Sequence, residues 1–211
     1  IRVERTGAIT VLADRYQGMR LNSPNDLVYT SNGNLYITDP PFGLPKVFND
    51  PGKETPWSGV YLLKNGELTL LTKELTGPNG IAFSPDEKTA YVDNWDPKKK
   101  VIMAYDVLAD GTFANGRVFY DITKSTPGDD CWDGIKVDAM GNVYAAGPKG
   151  VYVLSPAGTL LGLITPPEHV ANMAWGGEDN RTLFMTASTG LYRIRMQQPG
   201  SGPWGMTTAS R

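Results

Sequence analysis

One pattern occurs four times along the chain, and this internal repeat constrains the fold more than any single motif does. Each copy has an Asn or Asp at its second position, then a short apolar run, a turn rich in Asn, Asp, Gly or Pro, and a second run that contains an aromatic residue. The copies span 24–39, 78–94, 132–147 and 171–187, and their Asn or Asp residues are Asn25, Asn79, Asp133 and Asn172. Such alternation predicts a β-hairpin in every copy.

Further strand pairs are predicted between the copies. They span 59–72, 101–120 and 150–164, and the runs IRVERTGAITVLA and GLYRIRM indicate parts of two more. Four strands in every repeat of ~40 to 50 residues is the pattern of a β-propeller. The sequence therefore predicts an all-β fold with β-propeller architecture, of which this chain carries about four to five blades. Apolar residues do not recur at helical spacing over three turns in any segment, which argues against a helical solenoid.

The two ends of the chain differ from the repeats. Residues 1–196 are predicted to form a single propeller domain, and 197–211 a polar C-terminal tail rich in Pro and Gly. Residues 1–14 have the pattern of the outer half of a blade without its inner half, so we expect the first blade to be missing and the domain to be N-terminally incomplete. Because an open propeller exposes unpaired strand edges, we expect another chain or segment to complete that blade.

Composition excludes several classes of function. The 211 residues carry a net charge of -2, and Lys98, Lys99 and Lys100 form the only basic cluster, which argues against a nucleic-acid partner. No run approaches the ~20 apolar residues of a membrane-spanning helix. Cys131 is the only cysteine and His169 the only histidine, so sites built from several thiolates or imidazoles are excluded. His169 lies in a loop-like run, and the sequence has no GxSxG motif, which disfavours a Ser-His-Asp triad.

The repeated Asn and Asp residues are candidates for a binding site. Inner strands line the channel of a propeller, so these positions are expected to converge on one rim, with Asp39 beside Asn25, and with Asn94 and Trp95 beside Asn79. Oxygen donors without imidazole or thiolate favour a hard cation, Ca²⁺ first, with Mg²⁺, Mn²⁺ or Zn²⁺ as alternatives. Asn and Asp also start strands by bonding to nearby backbone, and the spacing alone leaves both interpretations open.

Longer motifs carry a family resemblance. The run RLNSPNDLVYTSNGNLYITDPPFGL, residues 20–44, resembles the signature of the gluconolactonase, regucalcin (senescence marker protein) and luciferin-regenerating enzyme family. GPNGIAFSPDEKTAYVDN and DGIKVDAMGNVYAAGPKGVYVLSPAGTLLG resemble later blades of that family, and the resemblance extends over nearly all of 1–196. It implies a six-bladed β-propeller that binds one divalent metal at the mouth of its channel and hydrolyses sugar lactones and related cyclic esters.

The resemblance also implies roles for individual residues. Asn79 in GPNG matches the asparagine metal ligand of the family, and Asp133 in WDG matches its aspartate ligand, which is also the candidate general base. Asn25 in SPND matches the asparagine that faces the substrate and reaches the metal, so Asn25 and Asp133 are the candidate catalytic residues. The candidate substrate contacts are Arg20, Asp39, Asn94, Trp95 and Trp132. A further glutamate ligand of the family precedes the point where this chain begins, and Glu4 does not match its motif, so we expect weak metal binding unless another chain or segment supplies that group.

Two other interpretations compete with a gluconolactonase-like enzyme. One is a non-catalytic propeller scaffold that binds protein or peptide on its rim, and the other is a related calcium-dependent hydrolase of aryl esters or phosphotriesters. The long connection 40–58 is either a lid over a site or a surface loop. Aromatic residues are expected either to wall an apolar pocket or to pack between blades, and they are Phe42, Phe48, Trp57, Trp95 and Trp132.

Overall fold

Short strands joined by tight turns make up almost all regular structure in residues 1–202, the part of the chain that the computed structural model describes. A single turn of 3-10 helix, Val47–Asn49, is the one helical element of that part. The strands are β1 (Arg2–Val3), β2 (Ile9–Thr10), β3 (Arg15–Tyr16), β4 (Met19–Arg20), β5 (Leu27–Tyr29), β6 (Leu35–Asp39), β7 (Gly59–Lys64), β8 (Glu67–Thr72), β9 (Pro78–Phe83), β10 (Thr89–Asn94), β11 (Val101–Val107), β12 (Phe113–Asp121), β13 (Ile135–Val137), β14 (Val143–Gly147), β15 (Gly150–Leu154), β16 (Leu160–Ile164), β17 (Val170–Gly176), β18 (Thr182–Ala187) and β19 (Leu191–Arg195).

The longer strands form four antiparallel sheets in which each strand pairs with the next one in sequence. Blade A contains β5–β8, blade B β9–β12, blade C β13–β16 and blade D the three strands β17–β19. Two small hairpins, β1–β2 and β3–β4, precede blade A. This arrangement confirms the predicted all-β propeller, and four blades lie within the described residues. Within them, no helix is long and apolar enough to cross a membrane.

One inner strand in each of blades A, B and C is buried on both faces. β6, β9 and β14 are buried over their full lengths, whereas the outer strand β12 is mostly exposed. A strand buried on both faces has a nearly continuous apolar sequence rather than an alternating one. Separate apolar clusters fill the three interfaces between blades, and they include Tyr36 and Ile81 between A and B, Tyr91 and Ile135 between B and C, and Tyr144 and Met173 between C and D.

A glycine allows the first strands of blades B and C to approach each other. A Cβ at Gly80 in β9 would lie 2.5 Å from the backbone oxygen of Asp133 and 2.7 Å from the backbone nitrogen of Ile135. No real side chain tolerates such distances, so glycine is required at this position. The close approach brings the segments that precede β9 and β13 to the same end of the channel.

The segment expected to form a C-terminal tail is described only as far as residue 202, and 203–211 lie outside the described residues. The part before that joins two blades. The backbone N–H of Ala139 donates to the backbone oxygen of Pro199 at 2.9 Å, and the N–H of Ser201 donates to that of Val137 at 3.0 Å. On the other side, the N–H of Gly200 donates to the backbone oxygen of Asn180 at 2.9 Å. Residues 199–201 therefore connect β13 of blade C with the β17–β18 turn of blade D.

A core substitution tests the importance of the packing between blades. Ile102 in β11 is fully buried in the cluster between B and C, whereas Val118 in β12 of the same blade is 55% exposed. Ile102→Ala is expected to lower the free energy of unfolding by about 2–5 kcal/mol, because it leaves a cavity that the neighbouring blade cannot fill. Val118→Ala is expected to cost less than about 1 kcal/mol. Equal losses in urea-induced unfolding would contradict this assignment of the core.

Asp93 in β10 is a fully buried acid. Its Oδ1 accepts the backbone N–H of Gly80 at 3.2 Å, and its Oδ2 has no hydrogen-bond partner among residues 1–202. Burial raises the pKa of Asp93 well above its ordinary value, and the negative charges of Asp133 and Asp26 raise it further, while Lys136 opposes them. The protonated form is therefore favoured in the folded protein.

Asp93→Asn is expected to make the protein more stable than the wild type at alkaline pH. Since the folded-state pKa of Asp93 is raised, its contribution to stability is present at acidic pH and is lost as pH rises through that pKa. The free energy of unfolding of the variant, relative to the wild type, should increase by up to about 1.4 kcal/mol per pH unit below the folded-state pKa of Asp93. Urea unfolding at pH 5 and pH 8 measures this difference. Asp86→Asn is the control: the Ser84 hydroxyl holds the pKa of Asp86 low, so its effect should not change over this range. A constant difference between Asp93→Asn and wild type would contradict the prediction.

Candidate active site

Three of the four repeated Asn and Asp residues meet at one cavity. Asn25 precedes β5 of blade A, Asn79 is the second residue of β9 in blade B, and Asp133 precedes β13 of blade C. The cavity has a volume of about 530 Å³, and the residues that line it are Asn25, Phe42, Val47, Phe48, Asn79, Trp95 and Asp133. The lining therefore combines three polar side chains from different blades with four apolar ones.

Asn79 is held in place by the blades on both sides of it. The Thr38 hydroxyl of blade A donates to the Asn79 backbone oxygen at 2.7 Å, and the Asn79 Nδ2 donates to the backbone oxygen of Trp132 at 3.3 Å. The same side chain lowers the pKa of the neighbouring Asp133 carboxyl group. These contacts engage the amide nitrogen, and no described residue donates to the Asn79 Oδ1. That oxygen is therefore available to a ligand in the cavity.

Asp133 lies in a segment that hydrogen bonds fix between blades C and D. Its backbone N–H donates to the oxygen of Ala146 at 3.0 Å, and the N–H of the next residue, Gly134, donates to that of Ala171 in blade D at 2.8 Å. The Ala146 N–H in turn donates to the backbone oxygen of Gly134 at 2.9 Å. The carboxylate is consequently presented from a fixed backbone rather than from a mobile loop.

The electrostatic environment of Asp133 favours proton exchange near neutral pH. Burial raises the pKa of Asp133 to about 6, and the hydrogen bond from Asn79 and the nearby His169 oppose that rise. The negative charges of Asp26 and Asp130 add to it. A carboxyl group with a pKa near the working pH is suited to act as a general base.

Asn25 is exposed at the mouth of the cavity, while its neighbour Asp26 is directed elsewhere. The Asn25 backbone N–H donates to the oxygen of Thr38 at 2.9 Å, which places its amide side chain at the cavity without another described partner. The Asp26 Oδ2 accepts the backbone N–H of Ile81 at 3.3 Å and lies 3.8 Å from the Nζ of Lys136. Of the two, Asn25 is the residue positioned to contact a ligand.

The three polar residues fit a hard divalent cation in the chemistry of their donors. The Asn79 Oδ1, the Asp133 carboxylate and the Asn25 amide oxygen are all oxygen donors of the kind that Ca²⁺ and Mg²⁺ prefer. Together they supply one negative charge, and no cluster of three or more Asp, Glu, His or Cys side chains suited to a metal exists within 1–202. Because Ca²⁺ takes six to eight oxygens, most of its ligands would have to come from water, substrate or further groups.

Two of the predicted substrate contacts lie outside the cavity lining. Arg20 forms a surface ion pair with Glu54, its Nε 2.7 Å from the Glu54 Oε1. Asp39 is fully buried and accepts the backbone N–H groups of Asn22 and Ser23, each at 2.8 Å. Burial raises the pKa of Asp39 to about 6. Arg20 is thus paired with the connection 40–58, and Asp39 holds the backbone segment that precedes blade A.

Asn94 and Trp132 also lie outside the cavity lining. The Asn94 Oδ1 accepts the N–H of Gly77 at 2.9 Å, and its Nδ2 donates to the backbone oxygen of Lys99 at 2.8 Å. Trp132 is fully buried in the cluster between blades B and C, with its ring 4.9 Å from that of Tyr152. A residue without exposed surface cannot touch a substrate in the cavity, so Trp95 is the one proposed substrate contact that lines it.

The connection 40–58 supplies a cavity residue that the sequence analysis missed. Val47 lines the cavity and has a φ of 47°, which is rare for a β-branched residue. Trp57, expected as another wall residue, instead donates from its Nε1 to the Tyr61 hydroxyl at 3.0 Å and lies under the Nζ of Lys73. The unusual length of this connection had left open both a lid over a site and a surface loop. Nothing in the sequence singled out Val47.

Known proteins with similar sequences and structures share this fold. Residues 1–189 match the family model described as SMP-30/gluconolactonase/LRE-like region. The chain is 36% identical over 202 residues to a gluconolactonase of Zymomonas mobilis, an alignment that covers 90% of this chain and 55% of that protein. The structure of a gluconolactonase from Xanthomonas campestris superimposes with a TM-score of 0.79 at 33% identity, covering 94% of this chain and 64% of that one.

A more distant structure shows the fold alone. It is a regucalcin of Agrobacterium tumefaciens, described as a calcium-binding protein, with a TM-score of 0.71 at 23% identity over 93% of this chain and 68% of that one. The present chain spans about half the length of the Zymomonas gluconolactonase. From the extent of the family match and the identity to the gluconolactonases, the chain belongs to the SMP-30/gluconolactonase/LRE-like family.

Proposed function

We propose that this protein hydrolyses lactones at the cavity formed by Asn25, Asn79 and Asp133. The observation that carries the proposal is the convergence of these side chains from three different blades on one cavity, with a carboxyl group whose pKa is raised to about 6. The similarity to proteins named gluconolactonase supports the same reaction class. Because the chain spans only part of the length of those relatives, the activity of the whole protein is part of the proposal.

Opening a lactone requires an activated water, stabilisation of negative charge on the carbonyl oxygen and a proton for the leaving alkoxide. Above pH 7 Asp133 is mostly ionised. It takes a proton from a water molecule while the oxygen of that water bonds to the carbonyl carbon. The ring C–O bond then breaks, and Asp133 returns the proton to the leaving oxygen, which gives a hydroxy acid. Asn25 at the mouth orients the substrate through its amide.

We further propose that Asn79, Asp133 and Asn25 hold a divalent cation, Ca²⁺ before Mg²⁺, Mn²⁺ or Zn²⁺. When bound, such a cation would supply Lewis-acid polarisation of the ester carbonyl, and it would lower the pKa of Asp133 and make that carboxylate a weaker base. Asn79 is suited to this role because its amide nitrogen is engaged by Trp132 and its Oδ1 is left open. A carboxylate from another chain or segment would complete the set of ligands that the family resemblance implies.

Asp133→Asn tests the assignment of the general base. The variant keeps the shape of the side chain but removes its basic oxygen, so kcat/KM for δ-gluconolactone should fall at least about 100-fold in a pH-indicator assay. Asp129→Asn changes an exposed carboxylate four residues earlier and should leave turnover within about threefold of wild type. A folded Asp133→Asn variant that retains turnover would remove Asp133 from the mechanism.

Thermal melting tests the cation. Ca²⁺ at about 100 times its Kd should stabilise the protein by about 2.7 kcal/mol, which raises the Tm by roughly 5–10 °C for a chain of this size. EDTA should reverse the rise, and Asn79→Ala should abolish it. A Tm that responds to neither Ca²⁺ nor EDTA, together with no hydrolysis of any lactone, would favour the non-catalytic scaffold instead.

A further inference from the structure

Lys100 is the one residue of the basic cluster 98–100 that the structure buries, with 1% of its surface exposed. We propose that Lys100 is a positioning residue for Asp133. It fixes residues 122–132, here called the B–C connection, which lead from the end of blade B to Asp133 at the start of blade C. This inference rests on the proposed function, in which Asp133 is the general base.

The Lys100 side chain donates two hydrogen bonds to the B–C connection. Its Nζ lies 2.8 Å from the backbone oxygen of Thr126 and 2.7 Å from that of Gly128. Lysine is almost never fully buried unless it is paired, because its amine loses its contacts with water. Here the partners are backbone carbonyl groups rather than a carboxylate. The buried amine therefore determines where the middle of the connection lies.

The Lys100 backbone is bonded to the start of the same connection. Its N–H donates to the Thr123 hydroxyl at 2.9 Å, and its oxygen accepts the backbone N–H of Ile122 at 3.1 Å. Ile122 is itself buried in the core between blades B and C. The amine is thus held at a fixed place relative to the carbonyl groups that it binds.

The middle of the B–C connection has few other restraints. Residues 122–132 form no strand or helix, and 127–130 are exposed. The Asp130 Oδ2 lies 3.4 Å from the His169 Nδ1, but these side chains are 48% and 39% exposed. An exposed ion pair contributes little to stability. The buried hydrogen bonds of Lys100 are therefore the main restraint on this part of the chain.

A displacement of the B–C connection would reach Asp133 after a few residues. Gly128 is followed by the exposed Asp129 and Asp130, and then by residues 131 and 132, which are buried directly before Asp133. Moving a catalytic group by ~1 Å can lower turnover about 100-fold. Lys100 does not line the cavity, so it acts on the reaction through Asp133 and not by touching the substrate.

Steady-state kinetics of the full chain test this role. Lys100→Met removes the amine and keeps an unbranched side chain, so kcat for δ-gluconolactone should fall at least about 10-fold while KM changes less than about threefold. Lys64→Met is the matched control, because the Lys64 Nζ donates to the backbone oxygen of Asp110 at 2.9 Å and neither residue lines the cavity. It should keep kcat within about twofold of wild type. Unchanged kcat in folded Lys100→Met, or a loss that lies entirely in KM, would overturn the inference.

The labelling of Cys131 measures the same restraint without a substrate. Cys131 is the only cysteine of the chain, lies in the B–C connection and is 1% exposed. N-ethylmaleimide should label it at least about 10-fold faster in Lys100→Met than in wild type, because a loosened connection exposes the thiol. Lys64→Met should label at the wild-type rate. Leu62→Ala, in the core between blades A and B, controls for a general loss of stability and should stay within about threefold of wild type.

A milder variant covers the case in which Lys100→Met does not fold. Thr123→Val removes the hydroxyl that accepts the Lys100 N–H, so it should lower kcat and speed the labelling of Cys131 by smaller factors, about threefold each. If the wild type hydrolyses no lactone but labelling is faster in the Lys100 and Thr123 variants alone, the lactonase proposal fails and the restraint by Lys100 stands. Labelling that is unchanged in these variants, or equally fast in Leu62→Ala, would overturn it.

Discussion

Hydrogen bonds that pass from blade to blade fix the geometry on which the site depends. The Thr38 hydroxyl of blade A reaches the backbone oxygen of Asn79 in blade B at 2.7 Å, and the Asn79 side chain reaches the oxygen of Trp132 in blade C at 3.3 Å. The N–H of Gly134 in blade C then reaches the oxygen of Ala171 in blade D at 2.8 Å. Most polar groups buried between packed sheets have such partners, because water does not reach them there. The same bonds that join the blades therefore set the positions of the polar side chains that line the cavity.

The two sides of the cavity have different structural origins. Asn79 and Asp133 belong to segments held between neighbouring blades, whereas Phe42 and Phe48 belong to the connection 40–58. Loops of this kind vary more readily than the elements they join. Trp95, which follows β10 and packs on Phe42, lies at the junction of the two.

The repeat in the sequence was sufficient to predict the propeller and the meeting of three side chains, because equivalent positions of successive blades lie at the same height on one axis. It was not sufficient for the fourth: Asn172 accepts its neighbour's N–H at 2.7 Å and the Nζ of Lys136 at 3.1 Å, and it does not line the cavity. Asp39 does not line the cavity either, and its partners are backbone N–H groups whose approach depends on the path of a loop. The conformation of Val47 could not be predicted either, because valine usually disfavours it.

The short segment 199–201 couples the unfolding of blades C and D. It bonds to Asn180 in the first turn of blade D and to Val137 and Ala139 around the end of β13 in blade C. Blade D has only three strands, and its outermost strand β19 has an open edge within the described residues. A sheet of that size would ordinarily fray first. Because segment 199–201 bonds to both blades, unfolding of blade D also breaks contacts of blade C. Blades C and D should therefore unfold as one cooperative unit.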